Sequence, residues 1–199
     1  MTDRTGPPTR RDFLQVSATA FAGVGAAATL WPLVRQMSPD AATMALASIE
    51  VDLAPIAVGQ AITVVWRGKP VFIRRRTPTE IETERGVQMA SLIDPAARMA
   101  GRPDTARATD ANRAKPGAED WMVVVSVCTH FGCVPQGQKL TESRGAWGGW
   151  FCSCHGSQYD TAGRVRKGPA PSNLEVPPYY FMSPTRIEIG RLTREADLS

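Results

Sequence analysis

Cys128-Thr129-His130-Phe131-Gly132-Cys133 and Cys152-Ser153-Cys154-His155-Gly156-Ser157 decide how this chain is read. Each hexapeptide supplies two cysteines and one histidine, and 18 residues separate them. The chain has 4 Cys and 2 His in 199 residues, and all six fall between Cys128 and His155. Gly132 and Gly156 stand where a tight ligand loop needs a residue that tolerates positive φ. A structural zinc site is one reading, but the Cys-x-His spacing of the first loop is not a Cys-x₂₋₄-Cys knuckle, and two cysteines are left over. Two disulfides would leave both histidines unexplained.

The pattern Cys-x-His-x₂-Cys … Cys-x-Cys-His-x-Ser resembles the Rieske iron–sulfur proteins, in particular the high-potential branch found in quinol-oxidising cytochrome bc complexes. In Rieske centres two histidines replace two cysteines on one iron of a [2Fe–2S] cluster. The resemblance implies that Cys128 and Cys152 ligate the inner iron, and His130 and His155 the outer one. Cys133 and Cys154 would form a disulfide between the loops. His155 would be the catalytic group that hydrogen-bonds quinol and accepts its proton. Ser157 would donate to a bridging sulfide, and Tyr159 to the Cys128 thiolate. Gly168-Pro169-Ala170-Pro171 matches the proline loop that covers the third side of the cluster, so Gly168 and Pro169 join the expected site. Phe131 stands where the family usually has Leu. Gln158 stands where the bacterial relatives often have His.

Outward from the boxes, Trp121–Val127 reads as a buried strand because it is continuously apolar. Ile49–Leu53, Ala61–Arg67 and Lys69–Arg76 alternate or are rich in Val and Ile, with a turn at Arg67-Gly68-Lys69. Arg186–Ile189 makes a last strand, and Arg191–Ser199 a polar tail. Arg74-Arg75-Arg76 reads as a solvated strand end. Residues 86–120, broken by Pro95, Pro103 and Pro116, read as a surface excursion with a short helix.

At the other end, Thr9-Arg10-Arg11-Asp12-Phe13-Leu14 has the form of a twin-arginine export signal. Phe13–Val34 then runs 22 residues without a charge. At 1.5 Å per residue, about 33 Å of helix crosses a hydrocarbon core of about 30 Å. Ala45-Leu46-Ala47 has the form of a cleavage site but lies far from the apolar run, so the anchor is expected to stay. Arg4, Arg10 and Arg11 before the span, against Arg35 after it, keep the N-terminus in the cytoplasm.

The expected organisation is a cytoplasmic N-terminus (1–12), a transmembrane helix (13–34), a hinge linker (35–48) and a periplasmic domain (49–199). That domain should be mostly β and antiparallel, with a small cluster-binding subdomain at about 121–182. Hydrophobic residues at 43% and charged residues at 21% exclude a disordered or polytopic chain. A net charge of +4 with scattered arginines carries no nucleic-acid footprint.

The twin-arginine anchor, the Ala-rich linker and Phe72-Ile73-Arg74-Arg75-Arg76-Thr77 are similar to the bc1 subunit of alpha-type proteobacteria. What that implies is an electron-transfer subunit of a ubiquinol:cytochrome c oxidoreductase in the bacterial inner membrane. It would take one electron from ubiquinol at cytochrome b and pass it to cytochrome c1, in a dimeric complex. The alternatives are the Rieske subunit of another exported oxidoreductase (arsenite oxidase-like), a b6f-type subunit, and a zinc-stapled binding module without redox activity.

Overall fold

The computed structural model describes residues 9–37, 47–139 and 141–193. Two compact units, Met1–Ala45 and Leu46–Ser199, are taken separately.

In the first, α1 (Arg10–Gln36) begins with a capping box. Thr9 Oγ1 accepts from the Asp12 N–H (3.2 Å), and the Asp12 carboxylate accepts from the Thr9 N–H (2.9 Å). The twin arginines therefore fill the first turn, and the expected span 13–34 lies wholly inside the helix. None of its residues is buried, and Phe13, Phe21, Leu30 and Trp31 all face outward. The hydroxyls of Thr19 and Thr29 bond back to carbonyls one turn earlier, such as Gly25 O at 3.0 Å, so they carry no unmet polar group into an apolar medium. Most of the expected hinge, residues 38–46, lies outside the described residues.

The second unit is built from nine strands in three antiparallel sheets. β1 (Ile49–Asp52), β9 (Arg186–Ile189) and β8 (Tyr179–Ser183) form one, with β9 central. β2 (Ala61–Trp66), β3 (Lys69–Arg75) and β4 (Trp121–Val125) form another, with β3 central. The third holds β5 (Gly148–Cys152), β6 (Ser157–Asp160) and β7 (Val165–Lys167). The β2–β3 hairpin turns through Arg67 and Gly68 at φ 49° and 73°, the double positive φ that matches strand twist. Phe72 of β3 stacks on the fully buried Trp150 of β5 at 5.9 Å, joining the second sheet to the third. The expected cluster-binding segment, 121–182, shares β4 with the second sheet and β8 with the first.

Two expectations are corrected. Arg74 and Arg76 are not a solvated strand end: they are 0% and 1% exposed. Arg76 makes a paired contact with Asp110 and also donates to Glu119 O, while Arg74 pairs with Glu80. Nor is 86–120 a surface excursion. After α2 (Pro78–Arg85), which Thr77 caps, the chain folds back on the head and buries Asp94, Ala108, Asp110, Arg113 and Ala114. Its short helix α3 spans Asp110–Arg113. Asn173 N–H donates to Asp94 Oδ2 (3.0 Å), and the Asn173 side chain donates to the carbonyls of Asp94 and Ala96. Charged side chains thus satisfy one another across the seam, and the polar sequence is compatible with burial.

Candidate metal centre

Both hexapeptides fold as matching loops. Gly132 N–H donates to Cys128 O and Gly156 N–H to Cys152 O, each at 2.9 Å, with the two glycines at φ +79° and +78°. A side chain would strain either turn. β4 leads into the first loop, while β5 and β6 flank the second.

Cys128 and Cys152 are each 2% exposed. His130 is half-buried, His155 is exposed, and their rings meet edge to face at 4.6 Å. The Nδ1 atom of His130 is buried and, among the described residues, has no hydrogen-bond partner. Such an atom costs free energy unless something takes its lone pair or its proton. Phe131 stands 76% exposed beside them, 4.2 Å from the His130 ring.

Behind the loops, two hydroxyls converge on one sulfur. Tyr159 OH donates to Cys128 Sγ at 3.3 Å. Ser157, fully buried, also reaches the Cys128 sulfur, and its oxygen accepts from Ala170 N–H at 3.1 Å. Burial would raise the Cys128 thiol, but bonds from Tyr159, His130 N–H, Cys152 and Ser157 outweigh it and hold the group below the usual thiol range. Burial and the adjacent Cys128 push Cys152 the other way, so the two titrate as a pair.

The proline loop seats directly on the second box. A Cβ on Gly168, at φ +101°, would stand 2.5 Å from Ser157 Cα, so only glycine fits. Pro169 is exposed and Ala170 buried. Two further residues belong to the site. Thr129 N–H donates to Tyr159 Oη (3.3 Å), and Thr129 Oγ1 donates to Ser172 O (2.7 Å). Thr129 lies between two expected ligands and could have been suspected. Ser172 carries no signal in the sequence.

The sulfurs of Cys133, Cys152 and Cys154 lie within 4.8 Å of one another, and all four cysteines are thiols. Three sulfurs are one donor short of a tetrahedral zinc site. That grouping would also leave unexplained the hydroxyls aimed at Cys128 and the unpartnered His130 Nδ1. Two buried thiols with hydroxyl donors, beside two adjacent imidazoles of which the more buried has an unused nitrogen, fit a [2Fe–2S] cluster with mixed Cys/His ligation.

Comparison with known proteins agrees. Residues 1–40 match the twin-arginine (TAT) signal of the ubiquinol-cytochrome c reductase Fe-S subunit, and residues 100–179 match the Rieske [2Fe-2S] domain. The ubiquinol-cytochrome c reductase iron-sulfur subunit of Blastochloris viridis is 52% identical over 187 residues, covering 94% of this chain and 95% of its own. Its counterpart in Rickettsia felis is 53% identical, covering 92% and 93%. That of Rhodospirillum rubrum is 53% identical, covering 93% of each chain. Among solved structures, a chain of a hyperthermophilic respiratory complex III aligns with a TM-score of 0.47 at 24% identity, over 87% of this chain and 98% of that one.

Proposed function

Because this chain belongs to the family of ubiquinol-cytochrome c reductase iron-sulfur subunits, we propose that it carries electrons one at a time from ubiquinol, at cytochrome b, to cytochrome c1. The observation that carries this reading is the buried, unpartnered Nδ1 of His130, set beside His155 on the outer side of two buried thiols.

Cys128 and Cys152 would hold the inner iron and His130 and His155 the outer one. When bound, the cluster supplies a one-electron acceptor, and its two neutral imidazole ligands place the potential roughly between −150 and +300 mV. The rest is the work of this chain's own side chains. His155, exposed at the tip, hydrogen-bonds the quinol oxygen and takes the proton at its outer ring nitrogen. Phe131 offers an exposed apolar face beside it for docking. Tyr159 and Ser157 donate to sulfur and favour the more negative, reduced form. Gly168 and Pro169 belong to the loop that closes the third side. Cys133 and Cys154, whose sulfurs are near enough to join with a small movement, form a bridge that ties the two boxes together.

The chain carries an export signal and an apolar helix, which make it a membrane-anchored exported protein. The membrane we infer is the bacterial inner membrane, crossed once by residues 13–34. The N-terminus is cytoplasmic and the head, 49–199, is periplasmic. The linker, 35–48, lets the head serve both cytochromes in a dimeric complex, and residues 121–182 do the cluster binding.

Affinity purification of the tagged full-length chain from its own membranes is the test. It should bring b- and c-type haem with it. Recovery with a molybdenum protein and no haem would overturn the assignment.

A further inference from the structure

We propose that Arg113 is a positioning residue for the redox centre: from behind the site it fixes both the backbone of Tyr159 and the N–H that orients the Tyr159 hydroxyl, and so keeps that hydroxyl on Cys128 Sγ. The inference rests on the cluster reading above.

Arg113 is 0% exposed, and its recorded hydrogen bonds go to backbone carbonyls rather than to a carboxylate. Burial pushes it down to about 10, so it remains a cation at neutral pH with every N–H available. Burying a charge without a counter-ion in direct contact is expensive. What the guanidinium gains is three carbonyls from three separate segments. Nε donates to Ala162 O (2.5 Å), one terminal nitrogen donates to Leu174 O (2.7 Å), and the other donates to Ala97 O.

Two of those carbonyls lead to Tyr159. Ala162 sits in the turn three residues beyond it. That turn is closed by Asp160 N–H to Arg164 O (3.0 Å) and Gly163 N–H to Asp160 O (2.9 Å). A Cβ on Gly163 would lie 2.9 Å from the Arg113 guanidinium, so the turn is pressed against it. Leu174 lies two residues past Ser172. The Ser172 carbonyl holds the Thr129 hydroxyl, and Thr129 N–H donates to the tyrosine oxygen. The strand carrying the donor and the partner orienting it therefore hang from one planar group. Ala97 adds the 86–120 segment, which thereby acquires a part in the redox site. Lysine would keep the charge, but its compact ammonium cannot span three divergent carbonyls as a planar fork does.

The test is a redox titration of the full-length chain in its membranes, followed by the EPR signal of the reduced cluster. Arg113→Lys is compared with wild type, and again in a Tyr159→Phe background. We expect Arg113→Lys to lower the reduced-to-oxidised ratio at fixed potential about threefold, about 28 mV for one electron. In the Tyr159→Phe background the shift should vanish. Arg113→Gln, which buries no charge, is read the same way if the lysine variant fails to accumulate. No shift, or an equal shift in both backgrounds, would overturn the inference. A wild-type chain with no Rieske signal would instead overturn the cluster reading on which it rests.

Discussion

Tyr159 and Ser157 show how single side chains set the chemistry. Reduction spreads an electron onto the sulfurs, so a hydroxyl aimed at sulfur stabilises the reduced form more than the oxidised one. A hydrogen bond to a charged acceptor is worth about 1.5–3 kcal/mol, and only its redox-dependent part counts. With about 59 mV to a tenfold ratio for one electron, Tyr159→Phe and Ser157→Ala should each lower the potential by some tens of millivolts while keeping the cluster. Protein-film voltammetry reads this directly. In the structure both hydroxyls reach Cys128 Sγ, whereas family resemblance puts Ser157 on a bridging sulfide. The double variant separates these. A shift equal to the sum means different sulfurs, and a smaller shift means a shared one. Tyr159 and Ser157 were readable only through resemblance, because a hydroxyl two or four residues past a histidine has many local uses. Thr129 and Ser172 gain their meaning from each other, 43 residues apart, and composition cannot display that.

Elements were readable where periodicity was the cause. The Val/Ile runs became β2 and β3, the continuous apolar run became β4, and Arg186–Ile189 became β9. β5 to β7 escaped because glycines and ligand residues interrupt them, and their pairing comes from the fold around the loops. Segment 86–120 was misread because the partners that bury its charges lie far off in sequence. Asp94 shows this best: it accepts from Ala96 and Asn173 N–H and from the Arg98 side chain. Burial alone would raise its carboxyl, but those bonds, led by Arg98, hold it below its ordinary 3.8. A lowered folded value stabilises the protein above the unfolded value, and the benefit is lost as pH falls through the folded one. Asp94→Asn should therefore cost about 1–3 kcal/mol at neutral pH in a denaturant melt, and flatten the acid limb of the stability profile. At the same scale, the proposed bridge between the two boxes should contribute about 2–4 kcal/mol. Replacing Cys133 and Cys154 together by Ala should give a cluster that is lost readily on dilution, followed by its visible absorbance. Thiol labelling of both cysteines in the folded, exported protein would contradict the bridge.

At the scale of the whole molecule, the chain is one apolar helix and one β head, each with its own source of stability. The helix satisfies its backbone internally and buries no side chain, so its apolar surface needs lipid or another helix. The head has a continuous core of its own, with Trp150, Phe72 and Tyr179 fully or almost fully enclosed. A chain starting at residue 47 should accordingly leave the membrane fraction and keep its cluster, as fractionation and absorbance would report. The central claim is that both histidines, His130 and His155, hold iron. With only 2 His in the chain, isotopic labelling of histidine reports on nothing else. The decisive measurement is pulsed EPR on the reduced full-length protein grown with ordinary and with ¹⁵N-labelled histidine. The expected result is a Rieske-type signal with couplings from two histidine nitrogens that change with the label, and that disappears in His130→Ala. A signal indifferent to the label, or stoichiometric zinc with no signal at all, would contradict it.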